Sequence, residues 1–260
     1  MKPVTLVSLN VWGGICFEAL VSFIKERADA TDIFCFQEVY DSNEKLVMDE
    51  GEHTDLLDTM ITLLPDHQHF FAAKVNGFHY NGKVDFRLMF GNVIFVRRNL
   101  KVIDYKELFK FEVTHGSENT FGKSKGQKLI LESEGEQFLV CALHGQWVKG
   151  DAVAGSHKTD TPSRIEEARY VHDEMFLFAG KKVLCGDFNL LPDTQSMAGH
   201  EQGMRNLIKE AAVSSTRSAR YTKDIKFADY MLVSTDVAVD ASEVIQNEVS
   251  DHLPLFLKFH

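Results

Sequence analysis

Six apolar runs along the chain each begin or end in polar residues that could do chemistry. "SLN" ends at Asn10, "CFQE" at Glu38, "CALH" at His144, and "LCGDFN" at Asp187 and Asn189; Asp229 opens "DYMLV", and Asp251 and His252 directly precede "LPLFLKF". Charged side chains are seldom buried without partners, so acids and imidazoles adjoining so many apolar runs point to a shared polar pocket. Carboxylate and amide oxygens are hard ligands that suit Mg²⁺, which keeps several waters and is commonly held by one or two carboxylates plus phosphate oxygens. Histidines and an asparagine can then donate to phosphoryl oxygens, and an Asp or an Asp-supported His can take a proton from water. The set fits hydrolysis of a phosphate ester. Each residue taken singly has a plainer use: Asn10 closing a turn, Glu38 as a solvated acid, His144 as a structural imidazole, Asp187 and Asn189 as a cap or turn, Asp229 as a strand anchor. In an extended strand Asp187 and Asn189 would share one face while Phe188 turns into the protein.

Strands and helices must position these groups. "VTLVSLN" reads as a strand, "FEALVSFIKERA" repeats apolar residues at helical spacing, and "DIFCFQEVY" reads as a second buried strand, which makes a β-α-β opening. A helix in "DLLDTMITLL" is stopped by Pro65, and the strand-like runs "HFFAAKV", "GNVIFVRR", "QKLILES" and "EQFLVCALHG" follow without helices between them. "TPSRIEEARYVHDEMFLF" is a helix capped by Thr161 ahead of Pro162, and "KVLCGDFN", "FADYMLVS" and "LPLFLKF" supply late strands. Mixed β-α-β and β-β connections favour an α/β protein whose sheet is neither wholly parallel nor wholly a meander. With no internal repeat and no low-complexity linker, residues 1–260 are expected to form one domain. The stretches 111–126 and 214–227, rich in Ser, Thr, Gly and Lys, are candidate rims of a site.

A formal charge of -10 disfavours diffuse attraction to polyphosphate backbones, so any nucleic-acid contact must be local. Cys16, Cys35, Cys141 and Cys185 show no C-x-x-C spacing, and the last three lie inside strand-like runs. They read as reduced core residues, which argues against structural zinc and for a reducing compartment, the cytoplasm. The opening "MKPVTLVSLNVWGG" is broken by Ser8 and Asn10 before a signal core could form, and no later run is long enough to cross a bilayer.

In order, N-x-W, Q-E, L-H-G, G-D-F-N, A-D-Y and S-D-H resemble the endonuclease/exonuclease/phosphatase (deoxyribonuclease-I-like) superfamily, which includes pancreatic-type deoxyribonucleases. The match spans Asn10 to His252, and G-D-F-N with S-D-H are specific for the superfamily though not for any branch of it. The resemblance implies a two-sheet mixed α/β sandwich flanked by helices in four layers, with the site where the sheet edges meet. It further implies that Glu38 is the principal ligand of Mg²⁺, for which Mn²⁺ can substitute, with Asn10 and Asp251 helping to hold the metal and its waters. Asp187 and Asn189 would orient the attacking water and the phosphate. His252, held by Asp229, would act as general base or as a charged phosphate donor, and His144 would donate to a non-bridging oxygen. Members differ over whether the water's proton goes to the Asp of G-D-F-N or the His of S-D-H, and both stay open. AP endonucleases generally carry Asp where Trp12 stands and Tyr where His144 stands, so that branch is disfavoured. His144 points to the deoxyribonuclease, sphingomyelinase and tyrosyl-DNA phosphodiesterase side.

Arg217, Arg220, Lys223 and Lys226 stand against Asp224 before Asp229, a local positive excess that fits either a phosphate rim or a solvated loop. Lys123, Lys125 and Lys128 form a second small basic cluster, and Arg97 or Arg98 offers phosphate contact or a strand terminus. Trp147 reads as packing in preference to base stacking. The leading expectation is a monomeric Mg²⁺-dependent phosphodiesterase acting on a nucleic acid or nucleotide, single-stranded or small. The alternatives are hydrolysis of a phospholipid head group or an inositol phosphate, and a binding protein that keeps the fold without catalysis.

Overall fold

The computed structural model describes residues 1–109, 122–147 and 158–260. Its strands in chain order are β1 (Val4–Asn10), β2 (Ile33–Asp41), β3 (His67–Asn76), β4 (Phe78–His79), β5 (Gly82–Lys83), β6 (Met89–Arg97), β7 (Lys101–Leu108), β8 (Lys125–Ser133), β9 (Glu136–His144), β10 (Lys181–Asp187), β11 (Met204–Asn206), β12 (Asp229–Ser234), β13 (Val239–Val244) and β14 (Leu255–Phe259). Its helices are α1 (Phe17–Arg27), α2 (Leu56–Leu63), α3 (Pro162–Phe176), α4 (Gln195–Glu201) and α5 (Leu207–Glu210). Among the described residues the strands form two six-stranded sheets, ordered β13-β14-β1-β2-β6-β3 and β11-β12-β10-β9-β8-β7, and a small β4-β5 ribbon.

Side-chain alternation explains why the sheets stack. In β1 and β2, Val4, Leu6, Ile33 and Cys35 face the second sheet, while Val7, Leu9, Phe34 and Phe36 face α1 and α2. Across the gap Phe138 of β9 meets Phe259 of β14 with ring centroids 5.6 Å apart. The other face of the second sheet carries Lys128, whose Nζ reaches Glu174 of α3. Strands buried on both faces read as continuous apolar runs, and these do. The result is the helix–sheet–sheet–helix sandwich that the motifs imply.

The helices start and stop for local reasons. Thr161 Oγ1 accepts from the Arg164 N–H at 3.2 Å, with Pro162 in the first turn, where its missing N–H costs nothing. Pro65 lies just beyond α2, whose last turn closes with Leu64 N–H on Met60 O at 3.0 Å. Cys35, Cys141 and Cys185 sit within β2, β9 and β10, and all four thiols are free. No helix among the described residues is long and apolar enough to cross a membrane. Arg97 donates to Ala28 O and Thr31 O and so ties a strand end to the α1–β2 turn, which leaves it no phosphate role. Lys125 and Lys128 are likewise spent on Glu107 and Glu174.

Strand direction then fixes where the polar ends meet. β1 runs parallel to β2, and β9 parallel to β10, so Asn10, Glu38, His144 and Asp187 all lie toward carboxyl ends. β12 and β14 run antiparallel to β10 and β1, which brings their leading residues to the same edge.

Candidate active site

In the second sheet, Asp187 pairs in register with His144 on one side and with Asp229 on the other. Residues opposite one another on adjacent strands project from the same face, so these three side chains line up across three strands. Their face is that of Cys185, which reaches Cys35 of the first sheet. Asn10 and Glu38 approach from the first sheet, and the Asn10 Nδ2 donates to Asp187 Oδ2 at 3.1 Å. Glu38, His144, Asp187, Asn189, Asp251 and His252 thereby line one cavity of about 230 Å³, while Asn10 and Asp229 support it from behind.

Two positions differ from simple strand alternation. β2 does not end at Glu38 but continues to Asp41, with a bulge between Phe36 and Val39 and Glu38 itself at φ 62°. A bulge adds a residue to one strand and re-aims a side chain, which puts Glu38 into the cleft beside the inward Asn10 and Gln37. Asn189 is not in a strand: its φ is 52°, and its N–H donates to Asp187 Oδ1 at 2.9 Å. That short turn, not a shared strand face, holds Asp187 and Asn189 together, and Phe188 is fully buried as expected. The glycine before Asp187 is obligatory, because Gly186 has φ 132° and a Cβ there would lie 1.9 Å from Leu143 O. Gly145 after His144 is equally confined, with Phe188 O 2.4 Å from its hypothetical Cβ.

Asp229 and His252 form a buried dyad, with His252 Nδ1 2.9 and 2.8 Å from the two carboxylate oxygens. His252 Nε2 looks the other way, 3.6 Å from Asp187 Oδ2 and 3.7 Å from Asp251 Oδ1. Burial and the neighbouring Arg217 push the imidazole pKa down, but Asp229, Asp251 and Asp187 together outweigh them and the net shift is upward. Asp187 is buried too, yet the positive field of His252, Lys158 and Arg217 holds its carboxyl far below the usual range. Burial pushes Glu38 upward, against a hydrogen bond from Asn10. His144 is held well below its ordinary value by burial and then by the charge of Lys74. His144 Nε2 lies 3.7 Å from Glu38 Oε1, and an imidazole in its neutral form still carries one N–H donor.

The donor set fits a hard divalent cation. Carboxylate oxygens of Glu38 and Asp187 lie within 4.8 Å of one another, and Glu38 retains access to solvent. Asn10 Oδ1 accepts from the Trp12 N–H at 3.0 Å and keeps a second lone pair. Asp251 is differently placed: its Oδ2 is 2.8 Å from Arg217 Nη1.

Several residues of this cavity escaped the sequence motifs. Lys158 lines it, is 1% exposed and donates to Phe227 O at 3.1 Å; burial and Arg217 push it down to about 7. Nothing in "SHKTD" signals this. Lys74 is wholly buried in β3, its Nζ has no hydrogen-bond partner among the described residues, and burial lowers it to about 8. A lysine in the midst of "HFFAAKV" was a readable signal, since buried charges need a reason. Of the loop 214–227, Arg217 reaches the centre of the site and Lys223 its wall, while Arg220 turns to Glu248. Residues 111–121 of the other candidate rim lie outside the described residues. Trp147 is only partly covered: it is 42% exposed and lines the cavity with Trp12, Tyr80 and Tyr221.

The model of the Endonuclease/Exonuclease/phosphatase family matches residues 7–252. The chain belongs to that family. Its fold is similar to the human Nocturnin catalytic domain with bound sulfate anion, at 18% identity and TM-score 0.67, covering 99% of this chain and 93% of that one. It is also similar to the mannosyl-6-phosphatase of Bacteroides thetaiotaomicron VPI-5482, at 17% identity and TM-score 0.69 over 99% of each chain. A third similar structure is D. rerio TDP2 complexed with single strand DNA product, at 12% identity and TM-score 0.64 over 100% of each chain. No curated protein matches the chain.

Proposed function

We propose that this family member is a divalent-metal-dependent phosphodiesterase that hydrolyses phosphate esters of a nucleic acid or nucleotide. The observation that carries the reading is the Asp229–His252 dyad, buried and aimed by Nε2 at Asp187 within the cavity that Glu38 and His144 also line. Glu38, Asn10 and Asp187 would hold Mg²⁺ or Mn²⁺, with Asp251 as a further ligand. The bound cation supplies charge neutralisation at the phosphate and the leaving oxygen.

The chain's own groups account for the remaining work. Asp229 fixes the imidazole of His252 and stabilises its protonated form, so His252 is equipped to take the proton of a water or to donate to the phosphate. Asp187, ionised and fixed by the Asn10 amide and the Asn189 N–H, is the second candidate acceptor for that proton. Neutral His144 and the Asn189 side chain donate to phosphoryl oxygens where negative charge develops.

Aromatic side chains at the mouth favour a substrate with a flat ring next to the phosphate. Trp12, Tyr80, Trp147 and Tyr221 surround an opening whose base holds the acids and histidines. Trp12 is kept in the left-handed region at φ 51°, a strained setting for a tryptophan. Base–aromatic stacking tolerates any base, and the acidic chain disfavours an extended duplex track. The single-stranded DNA product bound by D. rerio TDP2 is consistent with this choice. The similarity to a mannosyl-6-phosphatase supports a second reading, hydrolysis of a sugar phosphate, whose ring the same aromatic wall would also take. The test is hydrolysis of single-stranded DNA and RNA, nucleotides, sugar and inositol phosphates and sphingomyelin, each with Mg²⁺ and with EDTA. Metal-dependent cleavage of the nucleotide substrates is expected. Cleavage of sugar phosphates alone overturns the substrate assignment, and equal rates in EDTA overturn the metal.

A further inference from the structure

Arg217 is the strongest feature that the hydrolytic roles leave unexplained. It is 8% exposed, its Nη1 lies 2.8 Å from Asp251 Oδ2, and the same nitrogen contacts His252 Nε2. Its guanidinium carbon sits 4.2 Å over the ring of Tyr221, and its buried Nε has no hydrogen-bond partner among the described residues. The backbone cannot carry it away. Arg217 forms a β-bridge with His252, flanked by Ser218 N–H on Asp251 O at 3.1 Å and Leu253 N–H on Thr216 O at 2.9 Å. Only the side chain can swing.

Its two contacts are with the atoms that the metal-dependent reading needs elsewhere. Asp251 would help hold the divalent cation, and His252 Nε2 would face the water or the phosphate. The guanidinium balances the charge of Asp251 while no metal ion is bound, but a divalent ion beside Glu38, Asp187 and Asp251 repels it through a low-dielectric interior. A phosphate placed against His252 offers the displaced fork new acceptors, and arginine's planar donors suit phosphate oxygens.

We propose that Arg217 is the resident counter-ion of Asp251, capping His252 Nε2 at the same time, and that it competes with the divalent cation for Asp251 and passes to the phosphate oxygens when metal and substrate bind. The inference rests on the metal-dependent reading above.

The test measures Mn²⁺ binding to the metal-stripped full chain by calorimetry, without substrate, for wild type, Arg217→Gln and Arg217→Lys. Removing the competing charge should tighten Mn²⁺ at least about tenfold in Arg217→Gln, while Arg217→Lys, which keeps the charge, stays near wild type. At saturating Mn²⁺, inorganic phosphate should bind Arg217→Gln about tenfold or more weakly than wild type. Equal or weaker Mn²⁺ binding by Arg217→Gln overturns the proposal, because Arg217 would then merely brace the ligands. If wild type binds no Mn²⁺, the metal reading itself falls and this inference with it. Should Arg217→Gln fail to fold, the Arg217 Nε–H resonance of the wild-type protein decides. It should move on adding Mg²⁺ and again on adding phosphate, and an unmoved resonance overturns the proposal.

Discussion

Replacing Asp229 by Asn probes the centre of the proposed chemistry with the smallest change of shape. The carboxylate holds His252 Nδ1 through both oxygens at 2.9 and 2.8 Å, and both residues are buried. A hydrogen bond to a charged group contributes about 1.5–3 kcal/mol, so losing its charge should lower kcat roughly 10- to 150-fold. The asparagine amide can instead donate to Nδ1 and stabilise the other tautomer, which adds to the loss. The pH profile carries a second signal. Asp229 leads the carboxylates that lift the His252 pKa against burial and Arg217, so Asp229→Asn must lower it. If neutral His252 is the base, the acid limb of kcat moves to lower pH beneath a reduced plateau. If protonated His252 donates to phosphate, the alkaline limb moves down and activity at neutral pH falls further. The assay is bis-aryl phosphate hydrolysis at saturating Mg²⁺ from about pH 5 to pH 9, with circular dichroism to verify folding. A folded variant with kcat within about twofold of wild type and unmoved limbs would refute the dyad's role.

Three further outcomes follow from other parts of the structure. Glu38→Gln removes the carboxylate that the bulge aims into the cavity, and steady-state assays should show kcat down by roughly 10²- to 10³-fold or more with Tm unchanged. Trp147→Ala removes an exposed ring at the mouth, and KM for a nucleotide substrate should rise about 5- to 150-fold with kcat little altered; an unchanged KM rules out stacking. His200, packed against Phe188 with both ring nitrogens unpartnered among the described residues, is held neutral by burial, its pKa falling from 6.5 to about 3. The unfolded chain then binds the extra proton, so stability is full above about pH 6.5 and is lost as pH falls toward about 3, by of order 5 kcal/mol. Urea unfolding of His200→Leu should lack most of that slope, and an identical slope would show that other groups cause it.

Legibility in the sequence divides along physical lines. Strands buried on both faces announce themselves, so β1, β2, β6, β9, β10 and β14 were readable as apolar runs, and Thr161-Pro162 marked the start of α3. The edge strands β7 and β13 alternate exposed and half-buried residues and carry little apolar signal. The short α4, β11 and α5 pack through few residues each and were equally silent. Within the site, the acids, histidines and asparagines were legible because polar residues beside apolar runs are conspicuous. The bulge at Glu38 and the left-handed turn at Asn189 were not, because a positive φ at a non-glycine residue is imposed by packing and not announced by composition. Lys158 and Arg217 sit in loops, where a buried cation cannot be told from a solvated one until the chain is folded.

The central claim is that distant segments converge on one divalent cation beside one phosphorus atom. Crystals grown with Mn²⁺ and a non-hydrolysable nucleotide phosphate, measured at the manganese edge, test it most directly. The account predicts an anomalous peak coordinated by Glu38, with Asn10, Asp187 and Asp251 around it and the phosphorus between that peak and His252. Manganese elsewhere, or a cavity holding the nucleotide with no metal at Glu38, would contradict it.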